Sequence, residues 1–373
     1  MKPRIYLDNN ASTCVDQDVW RAVIRDFPNC VGNPSSIHLE GQASRQLLTQ
    51  ARQAIADHLA VPSQDIIFNS GGTEGLNTIL RGIFQAYPKG HMITSDAEHA
   101  CVYNTVQDMQ QQGCELTVLP AGLWGAVTPE AVKAALRPTT RLIALMAVNN
   151  ETGVKTDIEA IAAIAEEAGV FFLVDGVALL GKEQFSIPQG VSAMCFSGHK
   201  FHAPKGVGFA FWRSKMKLPS LILGGSQEFG RRAGTENLLG IVALSAAVAC
   251  LKKALPEASV RMQRLRERLE QGLLSSVPAA QINGLGPRIC NTVNISFAGV
   301  DGETLLMNLD MKGIAVSHGS ACASGALEPS RILLNMGISM AQARSAIRFS
   351  LSRFTTEQEI DQCIDIVSKL TKK

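Results

Sequence analysis

Residues 170–176, VFFLVDG, and residues 192–200, SAMCFSGHK, decide the fold. Each is a short apolar run that stops abruptly at polar residues, Asp175 in the first and Ser197, His199 and Lys200 in the second. A run with no polar alternation reads as a strand covered on both faces. Three further stretches share the form: DIIFNSGGTEG (65–75), HMITSDAEHA (91–100) and RLIALMAVNNETG (141–153). Helical patterns lie between them, with Leu76, Ile79, Leu80 and Ile83 on one face, and Ile158, Ile161 and Ala165 on another. Strands alternating with helices predict an α/β fold built on a mostly parallel sheet.

In such sheets ligands bind beyond the carboxyl ends of the strands, so the residues that follow each run are expected to gather in one place. They are Gly72, Thr73, His99, Asn150, Asp175, Ser197, His199 and Lys200. Singly, each has an ordinary explanation as a turn former or a helix cap. As a set, they need a polar ligand to satisfy them. SGGTEG is a glycine-rich turn opening a helix, where free N–H groups and the helix dipole favour a phosphate. Asp175 ends an apolar strand, and a carboxylate there is costly without a cation. A partly buried lysine of lowered proton affinity at position 200 suits Schiff-base chemistry. A phosphate cup, an acid for a ring nitrogen and such a lysine together describe pyridoxal phosphate. The sequence carries no nicotinamide fingerprint and no Walker A loop.

Composition narrows the remaining classes. A chain of 373 residues that is 46% hydrophobic can bury a large core, as two domains or one large α/β unit. The net charge is only +2 and no basic run interleaves with aromatics, so neither nucleic acid nor a membrane surface is an expected partner. Nine cysteines, odd in number and never spaced CxxC, point to a reducing compartment and to no metal site. MKPRIYLDNNAS, at the start, has no apolar stretch of signal-peptide type. LLGIVALSAAVACL (238–251) is too short to span a bilayer and reads as a buried helix. The expectation is a soluble, cytoplasmic protein. Cys363, Cys195 and Cys250 lie in apolar patterns and are expected to pack, Cys363 on a C-terminal helix opened by a TEQE capping box.

Taken in order, the motifs resemble the pyridoxal-phosphate-dependent cysteine desulfurases of the aminotransferase class V family. The likeness runs through YLDNNAST, GNPSSIH, SGGTEGLN, EHACV, NNETGV, SGHKFHAPKGVG, GRRAGTEN, SHGSACAS and IRFSLSRFTTEQEI, nearly the whole chain. It implies a fold-type-I architecture with a large cofactor-binding domain over residues 14–253. A smaller α+β domain would combine residues 1–13 and 254–373, joined through the helix RMQRLRERLEQGLL. In the small domain Val293, Ile295 and Phe297 alternate with polar residues, as do Ile347, Phe349 and Leu351, which predicts half-buried strands and turns Arg348 away from that core.

The resemblance also implies roles. Lys200 would carry the cofactor and move protons, Asp175 would pair with the ring nitrogen, and His99 would stack on the ring and assist acid-base steps. Asn150 would touch the ring oxygen, while Gly72, Thr73, Ser197 and His199 would hold the phosphate. Thr235 would reach the phosphate of a neighbouring subunit, so a homodimer is expected. Arg348 would grip the carboxylate of L-cysteine. Cys322, alone in a loop of small residues, would take the sulfur as a persulfide and leave alanine, and the longer loop resembles that of group I enzymes, which suggests a scaffold or other acceptor protein for iron–sulfur or thio-cofactor assembly. Two positions depart from the family pattern: Ala178 stands where a glutamine is usual, and Phe229 where a basic residue is common. They motivate a weakly active regulatory homologue as one alternative; another is a selenocysteine lyase or a related enzyme of the same family with another amino-acid substrate.

Overall fold

The computed structural model describes residues 4–318 and 329–371. Twelve strands are present among them. β1 (Ile5–Tyr6) pairs with β11 (Ile314–Ala315). A seven-stranded sheet contains β2 (Ile66–Asn69), β3 (His91–Ser95), β4 (Glu115–Leu119), β5 (Thr140–Met146), β6 (Phe171–Asp175), β7 (Ala193–Ser197) and β8 (Gly208–Trp212), in the order β2-β8-β7-β6-β5-β3-β4. Its pairs are parallel except those made by β8, which runs antiparallel to β2 and β7. The fold is therefore α/β with a mostly parallel sheet. Strands β4 and β8 were not among the five apolar runs: β4 is only half-buried, and β8 follows the lysine turn as a hairpin partner.

The helices form where the unbroken apolar runs give way to apolar residues at a 3.6 period. In the helix Gly72–Ala86, Leu76, Ile79, Leu80 and Ile83 are buried against one face of the sheet. In the helix Ile158–Ala168, Asp157 caps the first turn by accepting from Ala160 N at 3.0 Å, and Gly169 ends it with φ 64°. The helix Leu238–Ser276 is 39 residues long, and it alone among the described residues is long and apolar enough to cross a membrane. It is a core helix instead. Its first half, Leu238 to Leu251, is buried in the core of the large sheet, and Leu265, Leu269 and Leu273 are buried in a second core. Cys363 and Cys195 are fully buried, whereas Cys250 is only partly covered, at the edge of a groove. Thr356 and Glu359 form the capping box ahead of the last helix.

The second core lies under the antiparallel strands β9 (Ala280–Ile282), β10 (Thr292–Phe297) and β12 (Ala346–Ser350). Val293, Ile295, Phe297, Ile347 and Phe349 fill it. The opposite faces of β10 and β12, expected to be open, are covered too: Asn294, Ser296, Arg348 and Ser350 are each no more than 2% exposed. The N-terminal segment lies across them, with Asn10 N donating to Ser350 Oγ at 2.9 Å and Asn9 Nδ2 to Ser350 O at 2.9 Å. Polar alternation here marks a polar interior rather than water.

Candidate active site

The carboxyl ends of β2, β3, β5, β6 and β7 open on one cavity of about 210 Å³. Its wall includes Gly72, Thr73, His99, Asn150, Asp175, Ser197, His199 and Lys200, which come from five separate turns, and Arg348 from β12. Cys322 lies outside the described residues. Thr235 is exposed in the turn before the long helix and does not line this cavity.

The phosphate-like end is the turn Ser70–Thr73. Gly72 is required by close approach, because a Cβ there would sit 2.5 Å from Val177 Cγ2 in the turn after Asp175. Glu74, in the first helical turn, accepts from Ser70 N at 2.9 Å and from Arg232 Nε at 2.9 Å, which ties residue 232 to this loop. The first N–H groups of a helix have no partner within it, so Gly72 and Thr73 offer donors here.

Asp175 is 6% exposed and accepts from Val177 N at 3.0 Å. Burial raises its pKa, and His99, the Val177 amide and Lys200 oppose the rise. His99 is the N-cap of the helix Ala100–Gln111: its Nδ1 accepts from Cys101 N at 3.2 Å and lies 3.0 Å from Cys101 Sγ. A ring whose Nδ1 accepts from an amide carries its neutral-state proton on Nε2. Burial lowers its pKa, so this tautomer is the neutral donor form. His199 is pushed down to about 4 by burial and by Lys200 and Lys205.

Lys200 follows β7 in the short turn Gly198–Lys200, and its Nζ donates to Asn10 O at 2.5 Å and Ala11 O at 3.0 Å. Among the described residues Asn150 Oδ1 is buried without a partner, an orphaned acceptor on the cavity wall. An orphaned amide oxygen calls for a ligand donor, and with the amide turned over the same position offers its NH2 to a ligand oxygen. Arg348 is 2% exposed, with Nη2 donating to Asp8 Oδ1 at 2.7 Å and Nη1 to Asn150 O at 3.1 Å. Its Nε has no partner among the described residues. The orphaned Asn150, the glycine cradle and the carboxyl–lysine pair fit the ring, the phosphate and the aldehyde of pyridoxal phosphate.

Sequence reasoning singled out neither Asp8, Asn10 and Ala11 nor Cys101 and Lys182, all of which touch this site. YLDNNAST was recognised as a stretch but not by residue; the polar run directly after the apolar Ile5–Leu7 was the available signal. Ala178 lines the cavity, as the glutamine substitution suggested. Phe229 is 60% exposed at φ 59°, with the Arg52 guanidinium 5.0 Å from its ring centre. Arg52 is held by a buried bidentate pair with Glu228.

The aminotransferase class-V model matches residues 5–363. "Cysteine desulfurase 2" of Trichormus variabilis is 41% identical over 99% of this chain and 93% of its own length. A solved structure described as a NifS-like protein superposes with a TM-score of 0.91 at 33% identity, over 98% of this chain and 99% of that one. Another, SspA in complex with cysteine, gives 0.83 at 30% identity, over 94% and 100%. With this site and a match over nearly its whole length, the chain belongs to the aminotransferase class V family of pyridoxal-phosphate-dependent enzymes.

Proposed function

We propose that the protein is a cysteine desulfurase, which converts L-cysteine to L-alanine and retains the sulfur as a persulfide on Cys322. The observation that carries this reading is the convergence of Lys200, Asp175, His99 and Arg348 on one cavity in a chain whose relatives bear that activity in their names. Pyridoxal phosphate, when bound, supplies an electron sink for the substrate's Cα. Lys200 anchors it and moves a proton at Cα. Asp175, whose burial favours the neutral acid, becomes a stable carboxylate only beside a cation, and a pyridine N–H is such a partner. His99 donates from Nε2, and Gly72, Thr73, Ser197 and His199 hold the phosphate.

Arg348 receives the substrate carboxylate. Since Asp8 already occupies one arm of its fork, the substrate competes with or shares that pair. The thiolate of Cys322 attacks the substrate sulfur, an S–S bond forms, the C–S bond breaks with its electron pair left on carbon, and a proton completes alanine. His318 is fixed by its Nε2 contact to Arg344 O at 2.8 Å, and Ser317 pairs with Arg348 itself.

A homodimer completes the reading: Leu223, Phe229 and Thr235 are exposed on the segment that carries Arg232 to the phosphate turn. The sulfur then passes to an acceptor protein in the cytoplasm, for iron–sulfur or thio-cofactor assembly. Alanine and sulfide measured from L-cysteine with a reductant test the proposal. Wild type should release both, and Cys322→Ser should keep bound cofactor yet release neither. Equal turnover by the two proteins would remove Cys322 from the reaction, and no alanine from wild type would remove the activity.

A further inference from the structure

Lys182 stands in the same cavity as Lys200 and has no part in the reaction as described. The turn after Asp175 delivers it there. Gly181, at φ 82°, presses this turn under the residue that follows Lys200: a Cβ at 181 would lie 2.7 Å from Phe201 Cβ. Lys182 is 2% exposed, and its Nζ donates to the Lys200 carbonyl at 2.9 Å. An ammonium has three donors. Among the described residues that carbonyl is the one hydrogen-bond acceptor it meets.

Among the described residues no carboxylate forms an ion pair with it. The titratable and charged groups around it are Lys200 and His202 from the lysine turn, Cys290 from the segment before β10, and Arg353 from the segment after β12. Burial pushes the Cys290 thiol up to about 12 and His202 down to about 3, so both are neutral near pH 7. Lys200 and Arg353 are basic, and Arg353 is itself paired with Asp16. Burial, with Lys200 and Arg353, accordingly brings Lys182 down to about 8. Val177, Ala178 and Lys182 are the parts of this turn on the cavity wall, so with alanine at 178 the lysine is the polar side chain that the turn presents.

We propose that Lys182 is a second functional lysine of the cavity, a positioning residue that pins the peptide carrying Lys200 and sets a like charge against its amine. The proposal rests on the reading of Lys200 as the cofactor lysine. Asn10 O and Ala11 O favour a protonated nitrogen at Lys200, and Lys182 opposes them, so the pair of effects sets the pH at which that nitrogen gives up its proton.

The test is a spectral pH titration of the holoenzyme, following the visible band of the cofactor linked at Lys200. Lys182→Met matches the side chain in length and removes a buried charge, and Lys182→Arg retains the charge; thermal melting confirms that each is folded. The Met variant should raise the titration midpoint by about one unit, a tenfold change in proton affinity. The Arg variant should stay near wild type. A folded Met variant with an unmoved midpoint overturns the proposal, as does an Arg variant that shifts as far as Met. Borohydride reduction and peptide mapping of the wild type separate the two readings. A label on Lys182 overturns the site itself, whereas a label on Lys200 with unmoved midpoints overturns only the role of Lys182.

Discussion

The large sheet and the small sheet furnish the cavity in opposite ways. The seven-stranded sheet contributes what lies at and just beyond its strand ends: Asp175 and Ser197 close β6 and β7, and Thr73, His99, Asn150 and Lys200 sit on the turns that follow β2, β3, β5 and β7. The three-stranded sheet contributes Arg348 from the middle of β12, where register with Asn294 of β10 fixes its backbone and Asp8 fixes its charge. A turn can exchange its side chain and leave the sheet intact. An arginine inside a strand, 2% exposed and paired, is part of the architecture. The strand ends are therefore suited to hold a cofactor, and the in-strand arginine to set a substrate's position with little freedom.

The comparison breaks most visibly at Lys200. Lys200→Ala should abolish the reducible cofactor link and lower cysteine turnover about a thousandfold or more, while the fold survives with a smaller loss of thermal stability than at Arg348, since Asn10 O and Ala11 O give up one donor. Circular dichroism with an alanine assay checks both halves. At Arg348 the outcome should differ in kind. Arg348→Lys keeps a charge but loses the fork, and a charged hydrogen bond is worth roughly 1.5–3 kcal/mol, so KM for L-cysteine should rise about 10- to 100-fold with a smaller change in kcat. It should also lower the melting temperature, since Asp8 and Asn150 O lose a partner. An Arg348 variant as stable as wild type would erase the distinction between the two regions.

His202 tests the seam where they meet. Its ring packs edge-on against Phe354 at 4.9 Å, its Nδ1 lies 2.8 Å from Cys14 O, and burial, then Arg353 and Lys182, hold its pKa down to about 3. A histidine depressed in the fold binds fewer protons than in the unfolded chain between its two pKa values. Its stabilisation is complete above about 6.5 and is lost as pH falls toward 3, at no more than about 1.4 kcal/mol per pH unit. His202→Gln should flatten that slope in denaturant unfolding followed from pH 7 to pH 4. The smallest effect belongs to a strand-end turn. Ala178→Gln should move the spectral pH midpoint and raise desulfurase turnover only about threefold, because a bond that also stabilises the resting state accelerates little. An unmoved midpoint with lower turnover would show a cavity rebuilt around alanine, with Lys182 as its polar group.

Legibility followed the same divide. The strand ends could be read from the sequence because each apolar run and its polar terminus are contiguous, and the rule that ligands bind at that edge gathers them without knowledge of the packing. Asp8, Asn10 and Ala11 could not, since they reach Arg348 and Lys200 across 340, 190 and 189 residues of chain. Alternation sorted β10 and β12 into two faces correctly, but gave no sign that the N-terminal segment would cover the polar one. Lys182 was hidden for another reason: a lysine after Leu-Leu-Gly in a turn looks like a solvated residue, and it is buried by the lysine turn together with Cys290 and Arg353 from segments far along the chain.

The central claim is that the strand ends of the large sheet seat pyridoxal phosphate with Lys200 as its anchor. Borohydride reduction of the purified protein, followed by digestion and mass spectrometry, addresses it most directly. The account predicts a pyridoxyl group on the peptide that contains Lys200, and none in Lys200→Ala. A pyridoxyl group on Lys182 or Lys205, or a wild-type protein that carries none after incubation with the cofactor, would contradict it.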